Sequence, residues 1–284
     1  MFYLFLSVCI QVWNAQVLRF GESSQQERLV VIGFNYILAM IGGALAWMYQ
    51  GMPQPSAITW ALGPIGGFFY FVSLLFWMKA LAPAGVAVST AVMRLGVLWP
   101  VLLSVFYFAE VPTLAQLGGI LLTVLVLVLL GMDSRRPKGG IAQEPAAARR
   151  GLITLLLLFA TMGGTMISQK LFTEWAPPEE KSFFLLLVFY SAGLMTWMMI
   201  LTLELPLRFW DGVRGSIFGI GNITGNTFLL MGLSQVPGVV AFPLVSTSVI
   251  LLTAMSGVLI WKERPGILAV LAILTAAAAI YLMT

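Results

Sequence analysis

Along most of the chain, apolar residues continue for about twenty positions at a time, without the strict alternation of a half-buried strand or the wide polar face of a soluble amphipathic helix. Ten such runs are read: Phe2–Leu18, Leu29–Tyr49, Ala57–Met78, Gly85–Phe108, Leu114–Leu130, Leu152–Phe172, Phe183–Leu203, Ile217–Val236, Val239–Trp261 and Ile267–Met283. Each matches the length of a helix crossing the hydrocarbon core of a bilayer. Turn chemistry separates them, with "QGMPQPS" before the third, "APAG" before the fourth and "EWAPPEEK" before the seventh. Gln11, Asn14 and Gln16 interrupt the first run, which has no basic leader and no small-residue cleavage site before Arg19. It is expected to stay as a helix and not to be removed as a signal peptide.

One polar linker, Asp133–Arg150, divides the chain into a first module (1–132) and a second (151–284), each with five runs and neither with a soluble domain. The same corner is written in both. "FAEVPTLAQLGGI" begins at Phe108 and "IWKERPGILAVLA" begins at Ile260. When Met78–Leu130 is laid on Met231–Met283 without a gap, Gly85 meets Gly238, Val86 meets Val239, Glu110 meets Glu263 and Pro112 meets Pro265. Five is odd, so the second module enters the membrane from the opposite face. The expected fold is therefore all-α and integral to the membrane, with ten transmembrane helices in two inverted-topology repeats. Carriers commonly use such repeats, with the substrate site near the midplane. At the corner itself, a Pro in the first turn of a helix gives up an N–H that lacks a partner anyway. A preceding Glu meets the positive end of the helix dipole. Glu110 and Glu263 are thus expected to cap the fifth and tenth spans.

Composition sharpens this picture. Sixty per cent of the 284 residues are hydrophobic and 9% are charged, against about 25% charged in a soluble domain. The solvent must be lipid. The single cysteine, Cys9, excludes an internal disulfide, and the absence of histidine removes the commonest general base and metal ligand. Of the 15 Lys and Arg, Arg94 lies inside a run, Lys170 and Lys181 fall on the side of the N-terminus, and the others fall opposite. By the positive-inside rule the linker is cytoplasmic and both termini are external. Glu110 is then external and Glu263 internal.

The stretch "GVAVSTAVMRLGVLWPVLLSVFYFAEVPTLAQLGGILL" resembles the end of an EamA-type module of the drug/metabolite transporter superfamily. The matching features are the small and hydroxyl residues opening the fourth run, Pro100 in its second half, Glu110 at the corner, and Gly118–Gly119 beyond it. Trp13–Asn14 is similar to the Trp–small–Asn signature of the first span but lacks the small spacer; Thr253 stands where the first module has Pro100. The resemblance implies a ten-helix carrier with a central cavity lined by spans one, three, four, six, eight and nine. It leaves the substrate open among amino acids, sugars, cations and other metabolites.

Most polar residues at membrane depth hold helices together; the candidates for substrate contact are weighed against that. Arg94 lies near the middle of its run and must face protein or a wet cavity. Its expected role is to hold a carboxylate; its structural alternatives are Glu204 at the end of the seventh run or carbonyls freed near Pro100. Asn222 and Asn226, four apart, share one helix face, with Thr224 turned off it and Gly219, Gly221 and Gly225 permitting close packing. Asn14, Asn35 and Tyr190 add polar groups, while Trp60 and Tyr70 either line a cavity or act as interface anchors. Ser246, Thr247 and Ser248 follow Pro243, where a break in the helix would free carbonyls. Thr247 is the repeat mate of Arg94.

No carboxylate lies inside the first run, where small multidrug members of the superfamily carry one. No nucleophile, base and metal cluster converges, and no nucleotide-binding motif is present. The expected protein is a secondary carrier and not an enzyme, in the bacterial inner membrane, moving a small polar, anionic or zwitterionic metabolite such as an amino acid. It is expected to need no cofactor or metal, to contact lipid but no nucleic acid, and to be a monomer or weak homodimer. The alternatives are a carrier of another class (sugar, organic cation or drug), a non-transporting membrane subunit, or a membrane enzyme.

Overall fold

The computed structural model describes residues 1–19, 25–133, 145–260, 262 and 267–283. Among them every regular element is helical: α1 (Phe2–Arg19), α2 (Gln25–Tyr49), α3 (Ala57–Leu95), α4 (Leu98–Phe106), α5 (Leu114–Asp133), α6 (Pro145–Trp175), α7 (Lys181–Thr202), α8 (Phe209–Leu233), α9 (Gly238–Leu259) and α10 (Ile267–Met283), with a 3₁₀ turn at Pro178–Glu180. Six of these contain stretches long and apolar enough to cross a membrane: Arg28–Tyr49, Ala57–Ala80, Arg150–Trp175, Pro178–Thr202, Phe209–Leu233 and Gly238–Gly257. The chain is a helical membrane protein.

Two expected boundaries move. "APAG" opens no gap, and α3 is helical through Pro83 to Leu95. The interruption falls instead at Gly96–Val97, three to four residues before Pro100. Pro100 has no N–H to offer the Gly96 carbonyl, which takes one from Trp99 at 3.2 Å in a tighter turn. At the linker, α5 runs to Asp133 and α6 already begins at Pro145, with proline at the first helical position, so the alanines and arginines up to Arg150 are helical. The middle of the linker lies outside the described residues, as do Glu263 and Pro265.

The chain forms two compact units. Unit 1 comprises Met1–Phe71 and Ile167–Val236. In it glycines set how closely helices approach. Gly219 and Gly215 of α8 lie on the α2 backbone around Asn35 and Val31. Gly221, Gly225 and Gly232 lie on α1 at Asn14, Ile10 and Leu4, and Ser7 donates to the Gly225 carbonyl at 2.9 Å. α2 and α7 are antiparallel: Gly43 meets Leu186, Tyr36 meets Gly193, and Trp197 Nε1 donates to the Gly33 carbonyl at 3.0 Å. Gly63 and Gly67 of α3 pack on Leu187 and Val188 of α7, and Phe172 stacks on Phe184 at 4.2 Å.

Unit 2 comprises Val72–Met166 and Pro237–Thr284. There α5 and α10 are antiparallel, with Gly119 on Ala279 and Met283, and Val126 buried against Ala272 and Ala276. α4 packs on α9, and Trp99 of α4 covers Gly163 of α6. The corners correspond at the sequence offset of the repeat. α4 ends at Phe106 and α9 at Leu259; α5 starts at Leu114 and α10 at Ile267. Tyr107 N–H bonds the Leu103 carbonyl, as Ile260 N–H bonds that of Ser256. Ala109 and Lys262, repeat mates, both have left-handed backbone, with φ 53° and 52°.

Capping at the corner differs from expectation. Glu110 Oε2 accepts the Val239 N–H at 2.8 Å, in the first turn of α9. The dipole argument holds, but the helix is one from the other module. The first turn of α5 is closed by a capping box: Thr113 Oγ1 accepts the Gln116 N–H at 3.2 Å, and Gln116 Oε1 accepts the Thr113 N–H at 3.0 Å. Pro112 precedes this cap, outside the helix.

Candidate functional site

The apolar spans of unit 1 carry one hydrogen-bonded network, centred on Asn222 near the middle of α8. Asn222 Nδ2 donates to Asn35 Oδ1 of α2 at 3.0 Å. Asn222 Oδ1 accepts from the Tyr70 hydroxyl of α3 at 3.2 Å and from Asn226 Nδ2 at 2.8 Å. Asn226 Nδ2 also reaches the Asn222 carbonyl at 2.9 Å, and Asn226 Oδ1 accepts Gln169 Nε2 of α6 at 2.9 Å. Tyr36, 2% exposed, packs edge-on to Tyr70 at 5.8 Å and lies against Phe189. Four helices thus converge through carboxamides and a phenol, all of them uncharged.

Two atoms at the edge of this network remain open. Asn14 of α1, 8% exposed, sits directly over Gly221 with its Oδ1 buried and without a hydrogen-bond partner among the described residues. Gly221 is required there because a Cβ would occupy the position of that carboxamide. Asn35, 1% exposed, has its Oδ1 engaged by Asn222 but its Nδ2 buried and without a partner among the described residues. One buried acceptor and one buried donor are therefore available beside a connected network. Leaving such groups unpaired costs about 1–3 kcal/mol each, so a ligand that pairs them recovers that free energy.

Of the residues expected to contact substrate, the fold brings Tyr70, Asn222 and Asn226 into the network and places Asn14 beside it. Thr224 is turned away, its hydroxyl on the Ile220 carbonyl at 2.6 Å. Tyr190, also on α7, is 51% exposed, and no hydrogen bond ties it to the network. Trp60 is exposed near the start of α3, edge-on to Phe183 at 5.0 Å. Arg94, Ser246 and Ser248 belong to unit 2. Arg94 is half-buried in the last turn of α3. Ser246 is buried on α9, which stays helical through Pro243, so the expected break is not formed. Thr247 is fully buried and shares a 2.8 Å hydrogen bond with Thr123 of α5. Glu204, the expected alternative partner of Arg94, is exposed past the end of α7 with φ 49°.

Several polar groups carried no signal in the pattern. Gln169 and Lys170 adjoin each other at the outer end of the sixth run, where they read as its boundary. Lys170 is 1% exposed and paired with Glu174 at 2.5 Å. Glu180, 4% exposed, accepts hydrogen bonds from Ser56 at 2.8 Å and from Thr59. This joins the N-terminus of α3 to the turn before α7. Asp211, 3% exposed, lies in the first turn of α8, 4.0 Å from Arg214. Among the described residues no three of His, Cys, Asp and Glu come together.

No protein-family model matches the chain, and no curated protein matches it. A protein of known crystal structure is similar, with a TM-score of 0.75 at 18% sequence identity over 100% of this chain and 95% of that one. At that identity the likeness is one of fold.

Proposed function

We propose that this protein is a secondary carrier of the EamA type, built from two inverted five-helix repeats. It moves a small polar, anionic or zwitterionic metabolite across the bacterial inner membrane and performs no enzymatic step. The repeat is supported by the matching corners and by the pairing of α2 with α7, α4 with α9 and α5 with α10. In each pair the partners are five helices apart, as two inverted modules related by a pseudo-two-fold would place them. The observation that carries the functional reading is the polar network of unit 1, with its unpaired Asn14 acceptor and Asn35 donor at membrane depth. Helix–helix glue satisfies its own polar groups; a binding site leaves some for the ligand. Arg94, in unit 2, is a separate candidate for contact with an acidic group, since a guanidinium pairs with such a group through two parallel N–H donors.

Asn14→Ala tests this directly. Asn14 Oδ1 has no hydrogen-bond partner among the described residues, so removing the carboxamide breaks no bond at that atom and should change stability little. If it contacts substrate, uptake into proteoliposomes of the metabolite that stabilises the wild type in a thermal-shift screen should fall at least several-fold. Full flux in Asn14→Ala defeats the assignment. Orientation is checked in a Cys9→Ser background. A cysteine after Thr284 should label from outside intact cells with an impermeant reagent, and Ala142→Cys should not; the opposite pattern reverses the topology.

A further inference from the structure

The network around Asn222 is neutral and cannot by itself balance an ionic ligand. The charge nearest to it along the chain is Lys170, the residue after Gln169, whose amide donates to Asn226. Lys170 lies within an apolar stretch of α6, Arg150–Trp175, and its side chain is 1% exposed. An ammonium at such a place is costly unless paired, and an ionisable group inside a membrane span is a functional candidate by default. Its partner Glu174 lies one turn further along the same helix, at 2.5 Å, and is 35% exposed. The two ends of this ion pair are thus unequally held. The cation is enclosed, whereas the carboxylate stands at the edge, where water can solvate it if it is released.

We propose that Lys170 is the binding site for the substrate carboxylate, and that Glu174 is a resident counter-ion which the substrate displaces. Exchange of one carboxylate for another keeps the buried ammonium compensated throughout, which avoids the large cost of leaving it alone. Gln169, which precedes Lys170 on α6, is bonded to Asn226 and through it to Asn222. The inference rests on the carrier reading and narrows it to ligands that bear a carboxylate.

A structural ion pair and a displaceable one differ in the effect of removing Glu174. If the pair only holds α6 in place, Glu174→Gln lowers stability more than Lys170→Gln, because it leaves the enclosed ammonium uncompensated, and neither change selectively alters carboxylate binding. If Glu174 competes with the substrate, its neutralisation strengthens carboxylate binding while Lys170→Gln weakens it. The probe is a mixture of L-amino acids and dicarboxylates, titrated against purified protein in non-ionic detergent and read as a shift in melting temperature. The control mixture holds the corresponding amides and polyols. The carboxylate mixture should stabilise the wild type and the control should not. The midpoint should move about tenfold upward in Lys170→Gln and about three- to tenfold downward in Glu174→Gln, with Lys170→Arg between wild type and Lys170→Gln. Should Lys170→Gln fail to fold, Glu174→Gln and Lys170→Arg carry the test alone. No shift with carboxylates, equal weakening in both Gln variants, or wild-type affinity in Lys170→Gln overturns the proposal. Stabilisation by the amide and polyol mixture alone, lost in Asn14→Ala, overturns it while leaving the carrier reading standing.

Discussion

Replacing Gly219 by Ala tests how the network is held together. A Cβ built on Gly219 would lie 2.6 Å from the Asn35 carbonyl oxygen and 2.8 Å from Leu38 Cβ. The first of these is backbone and cannot rotate away. Moving from 2.6 Å to the 3.4 Å of an ordinary contact requires α2 and α8 to part by about 0.8 Å at that point. A gap of that size forfeits about a quarter to a half of each dispersion contact along the seam, and overpacking of this kind costs about 1–3 kcal/mol. The Asn222–Asn35 hydrogen bond, one turn away, is stretched as well, a loss of about 0.6 kcal/mol in a membrane protein. Ala recovers about 1 kcal/mol of helix propensity over Gly. The net expectation is a loss of about 0.6–2.6 kcal/mol. Gly212→Ala on the same helix is the control: its Cβ would meet only the Phe34 ring, at 3.5 Å, an ordinary contact. That variant should gain up to about 1 kcal/mol. Both are measured by reversible unfolding of the purified protein in mixed micelles, followed by tryptophan emission. Equal stabilities for the two variants, or a Gly219→Ala protein as stable as wild type, would refute the close approach of α2 to α8.

Other predictions concern the corner, a helix end and Arg94. Glu110→Ala should cost about 1–2 kcal/mol by uncapping α9, and Glu110→Gln should recover most of it because an amide oxygen still accepts the Val239 N–H; equal losses would contradict the assignment. Glu204→Gly should raise stability by about 1 kcal/mol, since the left-handed residue past a helix end favours glycine, and a decrease would show that the carboxylate is needed. Arg94→Gln should weaken binding of an acidic or zwitterionic ligand more than it lowers the melting temperature, with Arg94→Lys between the two, as a guanidinium offers two parallel N–H donors. Unchanged affinity in Arg94→Gln would remove that residue from the site.

Much of the architecture is legible along the chain because it depends on local matters. A residue's solvent and the helical period are set within a few turns, so the apolar runs foretell helices and their approximate ends. The two corners, at one sequence offset, foretell the matching ends of α4 and α9 and the matching starts of α5 and α10. The glycines of α8 and the shared face of Asn222 and Asn226 are also visible, since four residues complete about one turn. What the pattern cannot supply is the partner. Asn35, Gln169 and Tyr36 are isolated polar or aromatic residues in apolar runs, and nothing local distinguishes a network member from a solitary hydrogen bond. Glu110 reads as the cap of the helix that follows it; only the packing of the corner against the start of α9 turns its carboxylate to Val239. Lys170 reads as the charged end of a span, because hydropathy marks where a run stops and not what covers its last turn. Its burial, like the meeting of four helices at Asn222, follows from contacts between segments far apart in sequence, and only the tertiary structure decides those.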